Sequence, residues 1–423
     1  MAGISTPSRQ IPWNELQGIT STAEATASDA ICGRVPRLIA EPSTAEQVAA
    51  VLRWANENSV AVAARGNGTK TGWGAPPREL DVVLSMRKMN RVIEHAWGDM
   101  TATVEPGCTV ADLQRTLAEH GQRLAVEPLF ASGSAGRATI GGIVASNDNG
   151  PSRVRFGSLR DLIIGVTLAL PDGTLARSGG KVVKNVAGYD LPKLATGSLG
   201  TLGIITQAIF RLHPLPPTER TLSFQFETIA AAHRAASALL DSVLTFTGLQ
   251  LRSSGPSLCT LDVRFEGVES AVEDQAQRAE RMVGNLLPLE REQWQSSTAL
   301  WNRSPGAICR FSVLPSEVAP FLDRAQSMAE PLAVRARAVA QAVGVGLLRL
   351  DGPTDALLSI IQELRQLAAV RHGSVVMLHA SDELRSQLDP WGDVGTALGT
   401  MRRMKYQFDP KGILNPGRFV GGI

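Results

Sequence analysis

Residues 179–206 read GGKVVKNVAGYDLPKLATGSLGTLGIIT, and this segment constrains the fold more than any other. Six glycines interrupt its short apolar and β-branched runs. Chains use glycine where the backbone must take positive φ or let another group come close. A purely structural core has little need for that density, so the pattern points to backbone closing around a ligand. Two more glycine-rich stretches lie upstream. The first is Arg65-Gly66-Asn67-Gly68-Thr69, with Gly72 and Gly74 just beyond. It follows a short apolar run, residues 60–64, and its successive N–H groups can form an anion nest suited to a diphosphate. It matches neither GxGxxG opening a helix nor GxxxxGK[ST], and an ordinary Gly-rich loop is the competing reading. The second is residues 131–150, ASGSAGRATIGGIVASNDNG. Ser132, Thr139 and Ser146 offer hydroxyls there, and Gly141 and Gly142 would let backbone amides touch a flat or phosphorylated ligand. A small-residue hairpin in a packed sheet is the alternative.

Composition narrows the rest. The chain has 423 residues, enough for two or three domains, with 43% hydrophobic and 19% charged residues. Net charge is +2 and aromatics are 5%, with no basic patch interleaved with aromatics, so nucleic acid is not an expected partner. Cys32, Cys108, Cys259 and Cys309 are isolated, with no CxxC pair, so no cluster or structural zinc site is expected in this chain. No window approaches the ~18 apolar residues of a membrane span. With no secretory signal read, the isolated cysteines fit a reducing cytoplasm.

Apolar periodicity predicts a helix over residues 43–58, with strands over 60–64, 80–84 and 101–104 and a helix over 110–120. Strands over 162–170 and 204–212 follow, and His213-Pro214-Leu215-Pro216-Pro217 marks a boundary. Beyond it, strand and helix patterns alternate over 221–226, 228–240, 258–265 and 268–283. Runs over 347–350, 355–369 and 374–378 add strand, helix and strand, which fits helices on an antiparallel sheet. The domains are read as an N-terminal extension, 1–30, loose or peripheral; a first domain, 31–217; a second, 218–392; and a tail, 393–423, helical to residue 408.

Five motifs occur in order between Arg37 and Phe419: VAARGNGT, ATIGG, FGSLRDLIIGVTLALPDG, KNVAGYDLPKLATGSLGTLGIITQAIFRL and DPKGILNPGRF. Together they resemble the flavoprotein family of vanillyl-alcohol oxidase, p-cresol methylhydroxylase and the D-2-hydroxyacid dehydrogenases. That resemblance implies an α+β protein: a two-subdomain PCMH-type FAD-binding domain, then an α+β cap domain with an antiparallel sheet. It implies FAD as cofactor, with Arg65, Gly66, Asn67, Gly68 and Thr69 cradling the pyrophosphate. Ser132, Gly133, Thr139, Gly141 and Gly142 would line flavin and phosphate. Ser158 and Asp161 would lie toward ribityl and adenine, and Ile204 and Ile205 would meet adenine or ribose. Asn415 would return to the flavin ring from the tail. The first loop lacks the histidine that some members link to FAD, so the cofactor should be non-covalent.

More narrowly, GGKVVKNVAGYDLPKL resembles the second FAD-binding subunits of bacterial glycolate oxidases. It implies a catalytic FAD-binding subunit and an iron–sulfur subunit as partners, and a cytoplasmic place, peripheral at the inner membrane through those partners. The expected reaction is glycolate to glyoxylate. Two alternatives stay open: a self-sufficient FAD-dependent dehydrogenase for another 2-hydroxy acid or alcohol, and a flavin-free structural subunit. The family's His-rich HxGDGNxH metal signature is absent among His95, His120, His213, His233, His372 and His379, so no metal is expected. His372 and His379, seven apart across a strand pattern, should face opposite sides. No catalytic base is legible. Arg310, Arg349, Arg402 and Arg403 read by default as solvated charges, with Arg349 drawing interest from its strand-like run, GLLRLD.

Overall fold

The computed structural model describes residues 11–130, 137–181, 188–255, 258–284, 286–287, 293–301 and 306–423. Among these residues its first half carries two larger sheets and a two-stranded pair, Gln122–Arg123 with His213–Pro214. The first runs in the order Ser21–Glu24, Leu38–Glu41, Val82–Ser85, Val62–Arg65. The last three strands are parallel, joined by crossovers. The crossover helix Ala45–Asn58 starts where the Thr44 hydroxyl accepts the Gln47 N–H, and ends at Ser59 in the left-handed region. Its Val48, Val51, Leu52 and Ala55 face is buried against this sheet. The second sheet is antiparallel, in the order Val92–Ala96, Thr101–Val104, Ile204–Arg211, Ile163–Ala169, Leu175–Gly179.

The second half is one eight-stranded antiparallel sheet whose long strands run Thr218–Phe226, Cys259–Gly267, Gly248–Ser253, Arg335–Gln341, Val345–Asp351, Ala307–Ser312, Ser374–His379. Leu286–Leu287 pairs outside Thr218–Phe226. Side chains alternate across a strand, and the sheet uses both faces. Cys309 and Phe311 go under the helices Val318–Ala329 and Thr354–Val370. Ile308, Val339, Leu347 and Leu378 pack on Trp73 and Leu129 of the first half. The architecture is thus α+β: paired subdomains followed by a helix-covered antiparallel sheet.

Two expectations change. Residues 11–30 are not loose. Leu16 of the helix Trp13–Ile19 is fully buried, Trp13 meets the Trp54 ring at 5.6 Å, and Ser21–Glu24 pairs with Leu38–Glu41. A few apolar anchors outweigh the Ser/Thr/Ala background there. The described part of the second glycine stretch is not a hairpin either. Thr139 caps a short helix, Ile140–Ser146, by accepting the Gly142 N–H at 3.4 Å, and Asn147 ends it at φ 47°. The tail helix covers Ala397–Phe408.

Candidate functional site

Three separate stretches of sequence meet in one groove. The strand Val62–Arg65 delivers Gly66 to Thr69, Thr139 opens the short helix opposite, and Leu199 and Gly200 close the side. The tail completes it. Val62 donates to the Ile413 carbonyl at 2.8 Å and Asn415 N donates back to Val62 O at 2.9 Å. Asn415 sits at φ 46° and its Nδ2 donates to Leu199 O at 2.6 Å. The groove consists of two clefts of about 80 and 90 Å³ that share Arg65, Gly66, Thr139, Gly142, Leu199 and Asn415. Gly141, Ile204 and Ile205 line the first cleft, and Asn67, Gly68 and Thr69 the second.

The walls are bare backbone where a ligand would lie. A Cβ on Gly66 would come within 2.2 Å of Thr139 Oγ1. One on Gly200, at φ +70°, would come within 3.2 Å of Asn415 Nδ2. Arg65 is anchored to Asp29 at 2.7 Å, yet its buried Nε has no partner among the described residues. A buried donor left over in a backbone-lined groove fits an anionic ligand. The residues present therefore fit a phosphate-bearing cofactor.

Not every expected residue comes to this groove. Ser158 N and Oγ both donate to Asp161 Oδ2 at 2.8 Å, a reciprocal cap on Leu159–Leu162, and neither lines the clefts. Ser132 and Gly133 lie outside the described residues. His372 occupies the turn before Ser374–His379, at φ 57°, and His379 meets the Trp301 ring at 6.0 Å. Among the described residues no three His, Cys, Asp or Glu side chains gather as a metal site. Arg349 is fully buried, ion-paired to Asp351 at 2.6 Å and donating to Leu300 O at 2.7 Å, so it braces the sheet.

A second cavity, of about 270 Å³, lies between the two halves. One wall is the inner face of the eight-stranded sheet. Register places Val376, Arg310, Leu347 and Val339 in one row across four strands, so Arg310 is a lone charge in an apolar row. The opposite wall carries Trp73, Leu129 and Asp148. Asp148 is buried, ion-paired with Lys70 at 3.1 Å, and accepts the Leu129 N–H at 2.9 Å. Burial pushes its carboxyl above the ordinary range, and Lys70 and Arg310 only partly offset this. The sequence hid Arg310 as one arginine among many and Asp148 inside the turn-like run NDNG.

Groove and cavity share a wall. Lys70 and Ser146 line the groove, while Lys70 pairs with Asp148 of the cavity and the Ser146 carbonyl accepts from Arg310 at 3.5 Å. The joint around them is polar. Arg264 meets Glu127 at 2.6 Å, Arg123 pairs with Glu266, and Arg385 donates to Gly72 O at 2.9 Å and Gly74 O at 3.2 Å.

Comparison with known proteins gives this geometry a chemical context. Residues 36–179 match an FAD binding domain, and residues 348–419 match the C-terminal domain of FAD linked oxidases. Glycolate oxidase subunit GlcD of Bacillus subtilis (strain 168) is 28% identical over 425 residues, 91% of this chain and 89% of that protein. D-lactate dehydrogenase of Archaeoglobus fulgidus (strain ATCC 49558) is 27% identical over 413 residues, 90% of this chain and 91% of that protein. Among solved structures, alkyldihydroxyacetonephosphate synthase shares the fold, with a TM-score of 0.70 at 18% identity over 91% of this chain and 78% of that one.

Proposed function

On the premise that this chain is an FAD-linked oxidoreductase of the PCMH-type fold, with FAD as its cofactor, we propose that it oxidises the hydroxyl of a small 2-hydroxy acid. The observation that carries this reading is the shared wall between the groove and a compact cavity lined by Arg153 and Arg310. FAD, when bound, supplies the acceptor for the electron pair removed from the substrate. The loop Arg65 to Thr69 and the residues Thr139, Gly141, Gly142, Ile204, Ile205 and Asn415 would hold it. The cavity of about 270 Å³ lies just below the ~300–1,000 Å³ of drug-sized ligand sites, which favours a small substrate.

Glycolate is the substrate favoured within this class, through the likeness to a glycolate oxidase subunit and the segment GGKVVKNVAGYDLPKL. The same segment supports a GlcE-type role beside a catalytic FAD-binding subunit and an iron–sulfur subunit, which would carry electrons away. A self-sufficient dehydrogenase is the second reading, favoured by a cavity that the chain builds from its own residues. Anaerobic titration of the FAD-loaded chain with glycolate and D-lactate should bleach the flavin absorbance. A spectrum unmoved by every small 2-hydroxy acid would overturn the proposal. Steady dye reduction by the isolated chain, unchanged by co-expressed partners, would favour the self-sufficient reading over the assembly.

A further inference from the structure

The cavity between the halves contains polar groups that no protein contact uses. Gln341 Oε1, an acceptor, and Trp73 Nε1, a donor, are both buried without a partner among the described residues, and both residues line the cavity. Buried polar atoms are nearly always paired, so two orphans on residues that line one space make it a candidate ligand site. Arg310 has no carboxylate partner among the described residues. Its one hydrogen bond there is the long one to Ser146 O, and its guanidinium lies 5.9 Å from the Trp73 ring centre. On Asp148, both Lys70 and the Leu129 N–H meet Oδ2. Oδ1 takes no hydrogen bond from the described residues. The charged groups lining this space are Arg153 and Arg310 against the single carboxylate of Asp148, which Lys70 pairs from the groove side. The balance is cationic and suits a small anion.

We infer that this cavity binds 2-hydroxy carboxylates, with Arg310 holding the carboxylate and Asp148 accepting the hydroxyl proton. The inference rests on the oxidoreductase reading above. A guanidinium offers two parallel donors to a carboxylate. Its place in an apolar row strengthens that interaction by lowering the local dielectric. Oxidation of the alcohol to the 2-oxo acid removes two electrons and two hydrogens. FAD, when bound, would supply the acceptor for the carbon-bound hydrogen and its electron pair, while Asp148 takes the hydroxyl proton and becomes neutral. Lys70 positions the Asp148 carboxylate and favours its charged form against the cost of burial. Arg310 and Asp148 thereby replace the cation and base that a metal-histidine set would otherwise supply.

The test uses the FAD-loaded full chain and oxalate, a carboxylate that cannot be oxidised in this way, as the probe. Oxalate binding is read from perturbation of the visible flavin spectrum. Arg310→Met should weaken it about 30-fold, the scale of a charge-assisted hydrogen bond, and Arg310→Lys should recover part of the loss. FAD content serves as the folding control for both. Asp148→Asn should bind oxalate no more weakly than the parent but bleach with glycolate or D-lactate about 10²–10⁴-fold more slowly. The parent's bleaching rate should rise with pH along a limb displaced above the usual carboxylate range, and Asp148→Asn should lose that limb. Unchanged oxalate affinity in FAD-loaded Arg310→Met, while the parent is still bleached, would overturn the site and leave the function standing. Oxalate binding that depends on Arg310, with no bleaching by any 2-hydroxy acid, would overturn the function and the role of Asp148 but leave the anion site. A parent that neither binds oxalate nor bleaches would sink both.

Discussion

The groove and the cavity are built by opposite means. The groove is made around glycines and a left-handed Asn415, and Gly66, Gly68, Gly141, Gly142 and Gly200 contribute by lacking a side chain. The cavity is made of side chains, Arg310, Asp148, Gln341 and Trp73, brought from distant parts of the chain. A backbone-built site is intolerant of added atoms and tolerant of altered chemistry. A side-chain-built site is the reverse. The comparison teaches where each kind of substitution should be felt.

The largest expected effect is at Gly66. Gly66→Val places a branched Cβ against Thr139, which is buried and serves as a helix cap, so flavin loading should be abolished with far-UV circular dichroism largely retained. Arg310→Met should load FAD normally. If Gly66→Val retains parental flavin, or Arg310→Met loses it, the division between the two sites is wrong. The next effect is also all or none. Thr69 stands where some members of the resembled family carry a linking histidine, so acid precipitation should release all of the yellow cofactor into the supernatant. Flavin retained on the denatured chain would break the account of a groove that holds FAD without a covalent link.

A smaller effect concerns the joint between the regions. Arg264→Met leaves Glu127 and Glu266 without their shared cation. Removing one partner of this partly buried pair costs less than the ~3–5 kcal/mol of a fully buried one, read as a lower and broader thermal transition. The pH dependence has a definite sign. Burial pushes Glu127 up, but Arg264 and Ser152 outweigh it and hold the carboxyl below its ordinary range. Its contribution is therefore present above the unfolded carboxylate pKa and is lost as pH falls through the depressed folded value. Arg264→Met should flatten that acid loss, and an identical acid profile in the variant would remove Glu127 from the account. The smallest effect is at Asn415. Asn415→Ala removes the bond to Leu199 O and puts alanine in the left-handed region. A loss of ~1–2 kcal/mol predicts FAD retention weakened about tenfold, together with a shifted flavin spectrum. Unchanged affinity and spectrum would make the tail a strap rather than a wall.

The same division explains what could be read in the sequence. Glycine at a required turn leaves a local mark, so the loops at Gly66, Gly142 and Gly200 and the tail around Asn415 were visible in the linear text. So was the alternation of strands and helices beyond the proline cluster. The cavity left no such mark. Asp148 is functional through Lys70, 78 positions earlier, and through Arg310, 162 positions later. Nothing local distinguishes it from a turn aspartate. Arg310 alternates with Cys309 and Phe311, a period that marks a sheet position but does not say what lies opposite. Residues 11–30 misled for a related reason, since Leu16 and Trp13 are too few to register as a pattern.

The return of the tail to the first strand also sets an order of events during synthesis. Val62 gains its last backbone partners only when Ile413 and Asn415 are available. A growing chain that has just completed Ser374–His379 already holds every strand of the large sheet, yet its cofactor groove still lacks a wall. Domains form from the N-terminus as translation proceeds, so the first half waits, open along one edge, until residues 413–415 have been made. Ribosome-bound chains arrested with residue 379 outside the exit tunnel should fail to retain FAD, and those arrested beyond residue 418 should keep it. Flavin capture thereby comes after the large sheet is complete, when the tail closes the groove.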